Sequence, residues 1–194
     1  MAKSDPSSSK KERMKNVKWV ITIFFVTILV SGIISMGSDA LMSISGIAVA
    51  FLILLVIILV GIVFDIIGVA VTSADEKPFH SMAARKVPGA LEAISLLRRA
   101  DRVGSVCNDV IGDICGVVSG SASATIAALV IASSESVQPQ AVSLLMSALV
   151  AGLTVGGKAL GKAFAIRSCT AIVHTVGRVV YGFKRLPQLF CRQK

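Results

Sequence analysis

The sequence predicts an all-α membrane protein with four transmembrane helices, a cytoplasmic helical hairpin and a C-terminal amphipathic interfacial helix. Three features of the chain lead there. Hydrophobic residues make up 54% of the 194 and charged residues only 16%, with a mean hydropathy of +0.81; soluble domains sit near about half apolar and about a quarter charged. Several apolar runs approach or exceed the roughly 20 residues a helix needs to cross a hydrocarbon core. Basic residues gather in alternate segments between those runs, as the positive-inside rule requires of a multi-pass protein.

Residues 1–18, MAKSDPSSSKKERMKNVK, are too poor in apolar side chains to bury a core and read as a disordered basic tail. Trp19 to Met36 carries no charge and is predicted to be an N-terminal span, with Trp19 suited to the interface. A basic stretch before an apolar run also fits a secretory leader. This run is longer than an ordinary leader core and lacks an A-x-A site, so a retained anchor is expected. Gly37 to Ser43 then forms a short turn. The second span runs from Ile44 to about Val71, far too long for a strand, and its single charge, Asp65, falls near its far end.

Thr72 to Arg102 is polar, with Pro78 and Pro88 and helical spacing at Leu91, Ile94 and Leu96 or Leu97, predicting a short hairpin on the membrane surface. The third span covers Val103 to Ala132. A polar loop at Ser133 to Gln140 leads to the last span, Ala141 to Gly157, where Gly152, Gly156 and Gly157 make a small-residue face. Beyond it Arg167, Ala171, His174, Arg178, Tyr181 and Arg185 share one face of an amphipathic helix. Such a helix suits anionic lipid at the interface, with Pro187 ending it and 186–194 left as a basic tail.

Charge fixes the expected topology. Six Lys or Arg lie before Trp19, six between Thr72 and Arg102, and eight from Lys158 onward, which accounts for all 20. Four spans therefore place both termini and the hairpin in the cytoplasm, in a plasma or inner membrane. The net charge of +9 does not point to nucleic acid, because no aromatic side chains interleave the basic ones. Cys107, Cys115, Cys169 and Cys191 have no metal-ligand spacing and read as packing thiols in a reducing compartment. His80 and His174 have no second ligand at helical spacing. No nucleophile elbow, Walker motif or paired-His zinc motif is present, so no enzyme is expected.

The third span holds the candidate site. At four-residue spacing Gly104, Asn108, Gly112, Gly116, Gly120 and Ala124 form a small-residue stripe, with Asp109 and Asp113 on the stripe beside it. Small residues let helices approach, so Gly112, Gly116 and Gly120 are expected to pack against another helix or protomer. Ionisable groups in lipid cost about 2.5 to 3.5 kcal/mol each at a helix centre and mark ion paths unless paired. Asp65, Asp109 and Asp113 all fall in the cytoplasmic half and are expected to meet, with Asp109 and Asp113 as the charged core of the site. Carboxylates, an Asn carbonyl and backbone carbonyls are what Mg²⁺ takes as ligands, and the flanking glycines would tolerate a local break that frees such carbonyls. The competing reading is a structural ion pair between Asp109 or Asp113 and Lys158 or Lys162.

SADE at Ser73 to Glu76, ALEAISLLRRADRVGS at Ala90 to Ser105 and CND at Cys107 to Asp109 together resemble the transmembrane domain of the CorB, CorC and cyclin M family of magnesium transporters. LTVGGKALGKAFA at Leu153 to Ala165 is faintly similar to that family's Gly-Glu-x-x-Pro-Lys stretch, without its Glu and Pro. The resemblance covers residues 44–185, leaves 19–36 as an additional N-terminal span, and includes no segment like the family's CBS domains. It implies a homodimer in the bilayer around an inward-facing divalent-cation site. Ser73, Glu76, Asn108 and Asp109 fall at the matching positions, with Asp65 and Asp113 adding charge. A non-transporting membrane scaffold or accessory subunit that keeps the fold is the alternative.

Overall fold

A computed structural model describes residues 6–44, 46–133 and 138–191, with side-chain surroundings within 17–41, 46–133 and 138–185. Residues 1–5 of the expected tail, 134–137 of the expected loop and 192–194 of the basic tail lie outside the described residues. The described chain is helical, with no strand. Eight α-helices follow in order: α1 (Pro6–Ile44), α2 (Ile47–Ser73), α3 (Lys77–Ala84), α4 (Ala90–Leu97), α5 (Ala100–Ser105), α6 (Asp113–Ser133), α7 (Pro139–Arg167) and α8 (Cys169–Cys191). A π-helical segment, Val106–Gly112, joins α5 to α6.

Four helical stretches are long and apolar enough to cross a membrane: Val17–Leu41, Ile47–Ser73, Ala100–Ser133 and Pro139–Arg167. That is the expected number, but three boundaries move. α1 runs through both the region read as tail and the turn expected at Gly37 to Ser43. α7 continues ten residues past Gly157, carrying Lys158 and Lys162 inside the helix rather than beyond it. α8 continues past Pro187 to Cys191 rather than ending there.

The contacts fix how the long helices run. Gly61 abuts Cys115, Gly68 abuts Asn108, and Gly104 abuts Thr72, so α2 is antiparallel to the α5–α6 stretch. Gly157 meets Ile62 and Gly161 meets Ile66, so α7 is parallel to α2. Trp19 stacks under Arg102, Ser35 lies 3.3 Å from Ser121, and Thr125 donates to Asp39 at 3.5 Å. These constant offsets make α1 parallel to α6. The result is an alternating bundle with α3, α4 and α8 at the end where α2 finishes.

Two apolar clusters fill the bundle. Ala50, Leu54, Ile58, Ala122, Ile126 and Val150 pack α2, α6 and α7 at one end. At the other, Ala70, Val71, Phe79, Ala93, Leu97, Ala165 and Val173 tie α2 to the short helices, α7 and α8. Along α2, Gly61, Asp65 and Gly68 lie between the two. A smaller cluster of Val110, Ile114 and Val118 receives Ile23 and Val30 from α1.

The α4–α8 contact is made by backbone. Gly89 has φ 86°, a left-handed conformation that glycine adopts without steric cost. Its carbonyl oxygen lies 2.5 Å from where a Cβ on Gly177 would sit. Gly177→Ala should therefore push α8 off α4 and destabilise the protein by about 1 to 3 kcal/mol, the usual range for overpacking. Gly182, with open space around it, should accept alanine with no loss. Thermal unfolding of both variants in mild detergent checks the contrast.

Candidate functional site

Between the two apolar clusters lies a charged layer. Asp65 is 4% exposed, because α2 turns this side of its surface toward α6 and α7. Its Oδ1 is 3.9 Å from Lys158 Nζ on α7. The same ammonium donates to the Gly112 carbonyl at 3.5 Å, where the π segment ends. A methyl group on Gly112 would sit 3.4 Å from Lys158 Nζ, 3.4 Å from the Cys107 carbonyl and 3.9 Å from Asp65 Oδ1. Three helices thus bring a carboxylate, an ammonium and two backbone carbonyls around one glycine.

The layer is loosely closed. Charge-assisted N–H···O⁻ bonds run about 2.7 to 2.9 Å, so the Lys158 to Asp65 separation is an ion pair without tight hydrogen-bond contact. Asp65 Oδ2 has no hydrogen-bond partner, and neither does the buried Thr154 hydroxyl on α7. Buried polar atoms are satisfied in about nine cases in ten or more, so these two stand out.

One helical turn further along α2, Gly68 receives Asn108 so closely that a Cβ there would collide with the amide. Asn108 Oδ1 is buried and has no partner. The π segment accounts for this geometry. It spaces its bonds at i to i+5 and inserts what amounts to an extra residue, a feature that concentrates at functional sites. With Gly104 and Gly112 at its edges, Asn108 reaches α2 while the Gly112 carbonyl accepts from Lys158.

The other expected residues lie elsewhere. Asp109 and Asp113 are both exposed on the outer face of the third span and do not join Asp65. Among the described residues no three His, Cys, Asp or Glu side chains gather into a metal-holding group. Ser73 is exposed at the end of α2, and Glu76 is held by His80 at 3.4 Å. Gly112 is buried in the charged layer. A Cβ added at Gly116 or Gly120 would meet nothing within 4 Å, and both line a cleft of about 240 Å³ with Ser119, Ser123, Ser147 and Thr154. The four-residue stripe breaks because the π segment rotates everything after it relative to a regular α-helix.

Sequence reasoning missed Lys158 as the partner of Asp65. Its signal was available, since small and apolar residues continue past Lys158 and Lys162 to Ile166, but a lysine there reads as the end of a span. No family model, curated protein or solved structure matches the chain.

Breaking a buried pair strands one charge and costs about 3 to 5 kcal/mol, whereas removing both partners is close to neutral. Lys158→Met and Asp65→Leu should each lower the unfolding temperature sharply in detergent, and the double variant should recover most of the loss. A double-mutant cycle by thermal unfolding reads the coupling; additive losses would mean that the two groups do not interact.

Proposed function

We propose that this chain is an integral membrane protein of a plasma or inner membrane that passes a divalent cation, Mg²⁺ foremost, with Asp65 as the charged centre of its path. One observation carries the reading: a carboxylate buried between two apolar clusters, with an unpartnered oxygen, beside carbonyls of a π segment. Mg²⁺ is bound through one or two carboxylates and keeps several waters, which suits a single Asp with carbonyls and loosely closed polar surroundings. Lys158 holds the layer neutral when no ion is present. An entering cation displaces the ammonium and takes over its contacts with Asp65 and the Gly112 carbonyl, with Asn108 as a further oxygen ligand.

Ser73 and Glu76 belong to the approach on the α3–α5 side, which the charge distribution assigns to the cytoplasm together with both termini. Asp109 and Asp113 argue for a homodimer. Two acids facing hydrocarbon would oppose insertion by several kcal/mol, and neither has an ion-pair partner among the described residues. Lys162 is exposed on α7, one turn from Lys158 and so at the depth of Asp109. A second copy laid against this face would bring acid and base together and cover Gly116 and Gly120.

The scaffold alternative rests on Lys158 itself, because an acid already neutralised by a lysine needs no ion. Mg²⁺ uptake by proteoliposomes separates the two. Wild type should take up Mg²⁺ and Asp65→Asn should not. Mg²⁺ should also stabilise the wild-type fold by about 2.7 kcal/mol at a hundredfold excess over Kd. No uptake and no stabilisation would leave the scaffold. Orientation is checked in a cysteine-free variant: a cysteine replacing Gln138 should react with an impermeant maleimide on intact cells, and one replacing Ser95 should not.

A further inference from the structure

At the end of the bundle that carries the short helices, two clefts meet at one arginine. The first, about 440 Å³, lies between α3 and α4 and is lined on its polar side by His80, Ser95, Arg98 and Arg99. The second, about 370 Å³, is lined by Trp19, Val103, Val106 and Cys107, with Arg99 and Arg102 at its mouth. Arg99 belongs to both. Trp19 and Arg102 stand near the starts of two membrane-crossing stretches, so the polar cleft lies outside the hydrocarbon boundary and the apolar one just inside it.

The charge there is uncompensated. Arg98 and Arg99 are exposed and have no ion-pair partner among the described residues. Arg102 lies 5.5 Å from the Trp19 ring centroid. The nearby acids are mostly engaged elsewhere: Glu92 with Lys184 at 3.7 Å, Glu76 with His80, and Asp75 with the Lys77 amide at 3.3 Å. Asp101, exposed on α5, is the exception, one acid beside three guanidinium groups. Guanidinium forks bind phosphate oxygens bidentately, and basic pockets between membrane helices take anionic headgroups.

We propose that these joined clefts bind an anionic phospholipid whose headgroup carries more than one negative charge. Its bridging phosphate sits on Arg99 and Arg102, its further acidic group reaches Arg98, Ser95 and His80, and an acyl chain lies along Trp19, Val103, Val106 and Cys107. The site needs the bundle to sit in a bilayer and is independent of any ion path. It is also distinct from general attraction of the basic α8 to a membrane surface.

Trp19 is the chain's single tryptophan, so indole fluorescence has one source, and it lines this site. Full-length protein in mixed micelles is titrated with acyl-brominated lipids, which quench an adjacent indole. Brominated cardiolipin or phosphatidylinositol bisphosphate should quench Trp19 with about tenfold or greater preference over brominated phosphatidylcholine. Arg98→Gln with Arg99→Gln should reduce that preference to about one, while Lys184→Gln with Arg185→Gln, an equal charge loss on α8, should leave it. Equal losses in the two variants would show net charge at work and overturn the site, as would no preference in wild type. Inositol trisphosphate should fail to displace the brominated lipid at equal concentration; displacement would mean a site for soluble phosphates and overturn the lipid assignment. If the double arginine variant elutes as misfolded protein, Ser95→Glu, which puts an acid into the polar cleft and keeps both arginines, should give the same loss of preference.

Discussion

A carboxylate inside an apolar bundle has to be answered by positive charge, by a proton or by water, and that requirement organises this chain. Asp65 on α2 draws Lys158 of α7 into the interior and sets the two helices in parallel register. Meeting both at the depth of Gly112 obliges the third span to come close, which only small residues allow. Gly61, Gly68, Gly104 and Gly112 supply that approach on the two facing surfaces. Without Asp65 the same apolar faces could slide past one another by a turn at little cost, because hydrocarbon contacts are nondirectional. The charged layer fixes the register, and the two apolar clusters supply the packing on either side of it.

Much of this architecture was legible in the chain. Long uncharged runs such as Trp19 to Met36 mark spans by length alone, and the order of the short and long helices follows from where polar residues return. Boundaries were less legible, because hydropathy treats a lysine as a stop. Lys158 and Lys162 sit within α7, where one is paired and the other extends from the helix surface. Faces were least legible. Four-residue spacing put Asn108, Gly112 and Gly116 on one stripe, but the π segment separates them: Asn108 meets Gly68, Gly112 meets the ion pair, and Gly116 faces a cleft. No periodicity rule anticipates an inserted residue in a helix.

The acids divide into two populations for the same reason. Asp65 lies on a surface of α2 that α7 and the π segment cover, so it is buried and paired. Asp109, within the π segment, and Asp113, just after it, emerge on the outside. Gly116, Gly120 and the serines of the neighbouring cleft leave that outer surface shallow and weakly apolar, a poor boundary with lipid and a good one with another helix. One irregular segment therefore both completes the interior layer and exposes a polar exterior.

The Asp65 to Lys158 pair also has a consequence for biogenesis. The two residues are separated by roughly ninety positions, and at about 5 to 20 residues per second the lysine follows the aspartate out of the ribosome after roughly 5 to 20 seconds. Through that interval α2 carries an acid whose counter-charge has not yet been made. α7 supplies that counter-charge only after α6 has been made, so the charged layer closes late in synthesis.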